Sequence, residues 1–145
     1  MNLKFKYTFF QDLRWIYRTF KNRNDLKRKG LIVFYFSPTR MFYLWFKQPI
    51  SLHIDVPYPI TCYWISSGTW GSYTPPDKIF ICPWKKEGGV YSSEDLRKVI
   101  LHELFHLYYH DKIKKLDFQN REKFIQDKIR DFLLKKVSNH NMEKS

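Results

Sequence analysis

Apolar residues recur along this chain in two rhythms, one helical and one strand-like. From about residue 8 to 28, Phe9, Leu13, Ile16, Tyr17 and Phe20 fall at helical spacing, which predicts an N-terminal helix. The opposite face carries Arg14, Arg18 and Lys21. The apolar stripe is expected to pack on the core, with a membrane-surface helix as the alternative. After Gly30 the segments LIVFYF and MFYLWF are short, β-branched and aromatic; they predict two strands joined by a turn at SPTR. Further strands are expected at about 50–56, 60–66 and 78–82, punctuated by Pro57, Pro59, Gly68, Gly71, Pro75 and Pro76. Gly88-Gly89 closes this sheet region.

The helical rhythm then returns. Ser92-Ser93-Glu94-Asp95 supplies a hydroxyl cap with acidic residues in the first turn, and predicts a helix over about 93–110. A loop rich in Lys and Asp leads to a last helix over about 119–136, and the polar tail at 138–145 is expected to be flexible. No repeat and no linker divides the chain. The expectation is a single α+β domain over 1–145: a basic helical segment at about 1–30, a small mixed or antiparallel sheet, and two further helices packed on it.

Composition adds a charge. Lys and Arg exceed Asp and Glu by 12 in 145 residues, which is compatible with nucleic acid or an anionic membrane but names no partner; a solvated basic surface is the simpler reading. Cys62 and Cys82 lack the short spacing of a thiolate metal site, so both are expected to be small buried groups in strands. The N-terminus meets Asp12 and Arg14 before any apolar run builds up, so it does not read as a secretory signal. The apolar stretch 31–46 is broken at SPTR, leaving halves too short to span a bilayer. A soluble, cytoplasmic monomer is expected.

The chemistry is concentrated in His102-Glu103-Leu104-Phe105-His106. Residues four apart on a helix share a face, so two imidazoles can reach one ion at about 2 Å each. Glu103 is turned by roughly 100° from His102, where it can act on a water rather than bind the ion. With five histidines in the chain, a chance HExxH is expected roughly once in a hundred such sequences. Leu96, Val99, Ile100, Glu103 and Leu107 fall on one side of this helix. A carboxylate on a buried side needs a partner, and a metal site supplies one.

A third ligand is needed. His110 continues the row of His102 and His106, but His102 and His110 lie about 12 Å apart along a straight helix. The candidates left are Asp117, Glu122, Asp127 and Asp131. On the last helix Phe118, Ile125, Ile129, Phe132 and Leu133 make one apolar stripe. Glu122 lies within it, Asp127 points away, and Asp117 and Asp131 sit to the side. Glu122 is therefore the expected third ligand, with a salt bridge at the core edge as the alternative. His110, Tyr109 and Tyr91, with Tyr108, are candidates to line the cleft or stabilise an oxyanion.

The stretch GTWGSYTPPDKIFICPW followed by SSEDLRKVILHELFHLYYH resembles the catalytic core of small gluzincins, namely the minigluzincins and the ImmA/IrrE-type peptidases. The likeness covers roughly residues 66–134. It implies a zincin-like fold, a Zn²⁺ cofactor and protein or peptide substrates, with Glu103 as general base. It also implies that the strand at Lys78 to Cys82 borders the cleft and pairs with substrate backbone. Leu104-Phe105 stands where those families usually place a small residue before the second histidine, and REKFIQDKI lacks their alanine after the glutamate. Two rival readings are a latent zincin serving as a basic binding module, its tail folded over the site, and a DNA-associated SprT-like protease. The second lacks the expected His-Gly pair and cysteine cluster.

Overall fold

The computed structural model describes residues 1–47 and 52–142. The element order is β1 (Lys4–Lys6), α1 (Phe9–Arg28), α2 (Pro38–Phe46), β2 (Thr61–Trp64), β3 (Gly71–Thr74), β4 (Lys78–Ile81), α3 (Ser93–Tyr108), α4 (His110–Ile113) and α5 (Phe118–Met142). Four strands form one mixed sheet in the order β1-β2-β4-β3. β1, β2 and β4 run parallel, and β3 pairs antiparallel with β4 at one edge. The architecture is α+β, with the sheet between helices.

Strand alternation sorts the two faces of the sheet. Tyr63 and Phe80, paired across β2 and β4, face α1, where Trp15 stacks on Phe80 with ring centroids 4.2 Å apart. Cys62, Ile79 and Ile81 point the other way, toward α3, and are fully buried with Leu96 and Ile100. A second cluster, Phe105, Ile113 and Ile125, joins α3, α4 and α5. Both cysteines are free and buried, Cys62 in β2 and Cys82 just beyond β4. Burial pushes the Cys62 thiol well above its ordinary value and Cys82 up to about 12, so neither is a ready nucleophile.

Several sequence expectations fail here. MFYLWF is helical in α2, because SPTR is a helix start: Ser37 caps the Arg40 amide at 3.5 Å and Pro38 fills the first turn. Met41 and Leu44, three apart, are its buried side. LIVFYF forms only one bridge, from Phe34 to Gly68. Of the strand expected at 50–56, residues 50 and 51 lie outside the described residues, and Asp55 makes an isolated bridge to Asn2. α5 runs as helix to Met142, and residues 143–145 lie outside the described residues.

A further failure concerns α1. Its buried side is Asp12, Trp15 and Thr19, while Phe9, Phe10, Leu13, Tyr17 and Phe20 are exposed. Polar contacts set this rotation. Asp12 is fully buried and accepts hydrogen bonds from the Tyr7 hydroxyl and the Ser66 amide, both at 2.9 Å. Trp15 lies against Gly68, whose φ of +107° and crowded Cβ position admit no side chain. No helix is long and apolar enough to cross a membrane among the described residues.

Asp12→Ala strands the buried Ser66 amide and the half-buried Tyr7 hydroxyl, and is expected to cost about 2–4 kcal/mol of stability in urea denaturation. An unchanged midpoint would show that α1 is held by other contacts.

Candidate metal centre

α3 begins where Ser92 caps the Asp95 amide at 3.2 Å, and Glu94 and Asp95 follow in its first turn. Burial of Leu96, Ile100 and Leu104 then fixes which side meets the sheet. His102 and His106 project on one flank, one turn apart, toward α5. Their Nε2 atoms are 3.1 Å apart. Glu122 on α5 closes a triangle: its Oε2 lies 3.1 Å from His102 Nε2 and its Oε1 3.0 Å from His106 Nε2. These three side chains form a group able to hold a metal ion.

The triangle fits a tetrahedral ion. Bonds of about 2.0–2.1 Å require ligand atoms roughly 3.3 Å apart, close to the separations found. His106 is buried and its Nδ1 has no hydrogen-bond partner, so the polar contacts of this ring are all at Nε2. Two nitrogens and one carboxylate, all lining one cleft, make a donor set suited to a divalent ion. Glu122 is opposed by burial, yet hydrogen bonds and charge from both imidazoles hold its carboxyl down at about 2. His102 is raised: burial opposes its charged form, but Glu122 and Glu103 outweigh it.

Glu103 sits beside the triangle without joining it. Burial pushes its carboxyl up to about 8, with His102 opposing and Glu122 adding. The reason it can lie there is Gly71. A Cβ at that position would collide with the Glu103 carboxylate, so β3 and α3 approach as closely as only glycine permits.

Two residues on from Gly71, and therefore on the same face of β3, Tyr73 stacks on the His106 ring at 5.2 Å between centroids. The Tyr73 hydroxyl lies 3.4 Å from His110 Nδ1. Burial raises Tyr73 above its ordinary value, with Arg121 opposing and Glu103 and Glu122 adding, which keeps the hydroxyl a donor at neutral pH. Arg121 borders the same space, with its Nε buried and unpartnered.

These groups line a cleft of about 810 Å³ that runs between β3 and the end of α1, with α3 and α5 as its floor. The resemblance implies a substrate edge at Lys78 to Cys82. Both ladder sides of β4 are occupied, by β2 and β3, so the strand bordering the cleft is β3. His110 lines the cleft, but Tyr91 and Tyr109 are not among its lining residues. α3 breaks at Tyr109, whose ring packs on Phe105 and Phe124; Tyr91 packs on Trp70; and Tyr108 meets Tyr58. Of the carboxylates considered with Glu122, Asp117 caps α5 through the Asn120 amide at 3.0 Å, Asp127 pairs with Arg130, and Asp131 is exposed. Tyr73 and Arg121 were missed. The signal for Tyr73 was the period of two from Gly71, hidden by the glycines and prolines around it.

No protein family, curated protein or solved structure matches the chain. The roles of these residues rest on their geometry.

Glu122→Ala is expected to weaken divalent-metal binding by more than about tenfold in calorimetry, and Asp127→Ala to leave it unchanged; the reverse order would remove Glu122 from the ligand set. Gly71→Ala is expected to lose about 1–3 kcal/mol in urea denaturation through overpacking against Glu103. Wild-type stability in that variant would mean that β3 and α3 are not in close contact.

Proposed function

We propose that this chain is a zinc metallopeptidase of the gluzincin type, with a zincin-like arrangement of sheet, HExxH helix and glutamate helix. One observation carries the reading: a buried carboxylate, Glu103, adjoins a His102–His106–Glu122 donor triangle without entering it, and both face one cleft. Structural metal sites use up their ligands. A spare, poised carboxylate beside an open one is the arrangement of hydrolysis.

A zinc ion held by His102, His106 and Glu122 would supply a Lewis acid that acidifies water and polarises a carbonyl. The remaining work falls to the chain. Glu103 takes a proton at its carboxylate and returns it to the leaving amine. The edge of β3 that has no partner strand among the described residues offers backbone donors and acceptors to an extended peptide, which aligns the scissile bond by strand addition. Tyr73, stacked on His106 and in reach of His110, donates toward the oxygen where negative charge develops. Recognition through backbone groups suits protein or peptide substrates of varied sequence.

Glu103→Gln is expected to retain zinc at one-to-one stoichiometry while cleavage of an unfolded test protein falls by about 10²–10⁴. A chelator should abolish wild-type cleavage, and zinc should restore it. Undiminished turnover by Glu103→Gln, or turnover indifferent to the chelator, would remove the peptidase assignment. Tyr73→Phe is expected to lower kcat by about 10–10² with little change in KM; a change confined to KM would make Tyr73 a substrate contact only.

A further inference from the structure

The rotation of α1 leaves a surface that the cleft chemistry does not use. Phe9, Phe10, Leu13, Tyr17 and Phe20 occupy about 100° of its outward arc at the pitch of an α-helix. α2 lies alongside and extends the patch: the rings of Phe9 and Trp45 are 5.6 Å apart, and Phe42 and Phe46 are also exposed. Exposure is heavy at its most prominent points, 78% for Phe10, 58% for Trp45 and 79% for Phe46. Monomeric proteins rarely leave contiguous aromatic surface of this kind uncovered.

The charge around the patch is one-sided. Residues 1–47 hold eleven Lys and Arg against two Asp, nine of the chain's twelve net positive charges. Both acids are already engaged: Asp12 is buried in its hydrogen bonds, and Asp25 pairs with Lys29. Arg14 and Lys21 are exposed on the flank of the aromatic arc, and Lys47 is exposed at the end of α2. Lys4 and Lys6 are exposed on β1 and share the sheet face that bears α1, by their register with Thr61 and Tyr63.

We propose that the α1–α2 face docks on an anionic lipid bilayer, with the Phe and Trp side chains entering the headgroup region and the Lys and Arg rim meeting acidic headgroups. Exposed helices with neighbouring aromatics and flanking cations match an interfacial, non-spanning mode. A second copy fits poorly, because self-pairing would bring two strongly cationic faces together with no acid between them. Single-stranded nucleic acid calls for a groove in which cations track the backbone between stacking rings; here the rings stand exposed on two helices, with cations on their flank. The proposal is independent of what the cleft catalyses. Because Arg18, Leu26 and Lys29 of α1 line the cleft, docking would hold its mouth near the membrane surface.

The test is flotation of the full chain with vesicles of phosphatidylcholine alone or mixed with phosphatidylglycerol. Binding is expected to be at least about tenfold stronger to the mixed vesicles, since each basic residue near an anionic surface is worth roughly fivefold. Phe10→Ser with Phe46→Ser should weaken it by roughly tenfold per site, at an unchanged thermal midpoint, because both side chains are exposed. Arg14→Gln with Lys21→Gln should weaken it through charge alone and flatten its salt dependence. Failure to float with mixed vesicles, or flotation indifferent to the Phe10 and Phe46 changes, would overturn the proposal. So would concentration-dependent dimers, or binding of a single-stranded oligonucleotide, that those same two changes abolish.

Discussion

The contact between Gly71 and Glu103 is the constraint on which the site depends. α3 can present two imidazoles at helical spacing wherever it lies, but the carboxylate between them is useful only if it is buried without being ion-paired away. Glycine at position 71 lets β3 approach α3 closely enough to cover Glu103. The strand's period of two then delivers Tyr73 onto His106 and within reach of His110. A single missing side chain thus sets the depth of the carboxylate, the seat of one histidine of the triangle and the wall of the cleft.

The two glutamates show how environment drives like groups apart. Glu122 lies between two imidazoles that donate to it, and its carboxyl is held at about 2. Glu103 is more deeply buried, feels Glu122 as a repelling neighbour, and is lifted to about 8. Carboxylates whose surroundings drive them apart are the usual mark of one group that binds charge and another that moves protons. A divalent ion in the triangle would draw Glu103 back toward ionisation, so a base of this kind would become effective only when its site is loaded.

Much of this centre was legible in the sequence because it follows helical geometry. His102 and His106 share a face by spacing alone, and Glu122 stood out as a carboxylate on an apolar stripe next to Ile125, which is fully buried. What was not legible depended on contacts between distant segments. The run MFYLWF has the composition of a strand, and only recognising Ser37 and Pro38 as a helix start would have reversed it. β3 was hidden because its four residues pack through a glycine and a tyrosine instead of a β-branched run. The rotation of α1 was misread for a more general reason: periodicity locates an apolar stripe, but it does not say what covers that stripe.

Asp12 decides that question. Its hydrogen bonds with Tyr7 and Ser66, together with Trp15 stacked on Phe80, satisfy the inner side of α1 with a polar anchor and one large ring. The better hydrophobic stripe is left outside. Burying that stripe on the core would have removed more apolar surface from water, by some 1.5–3 kcal/mol for each large side chain. A sequence that keeps an aromatic face outward and rims it with cations therefore carries a cost in solubility and in burial that stability alone does not explain. The same helix supplies Leu26 to the cleft wall, so whatever covers its outer face is coupled through one rigid element to the mouth of the site. Attachment at that face would restrict which substrates reach Glu103 by position, leaving the cleft itself free to read backbone.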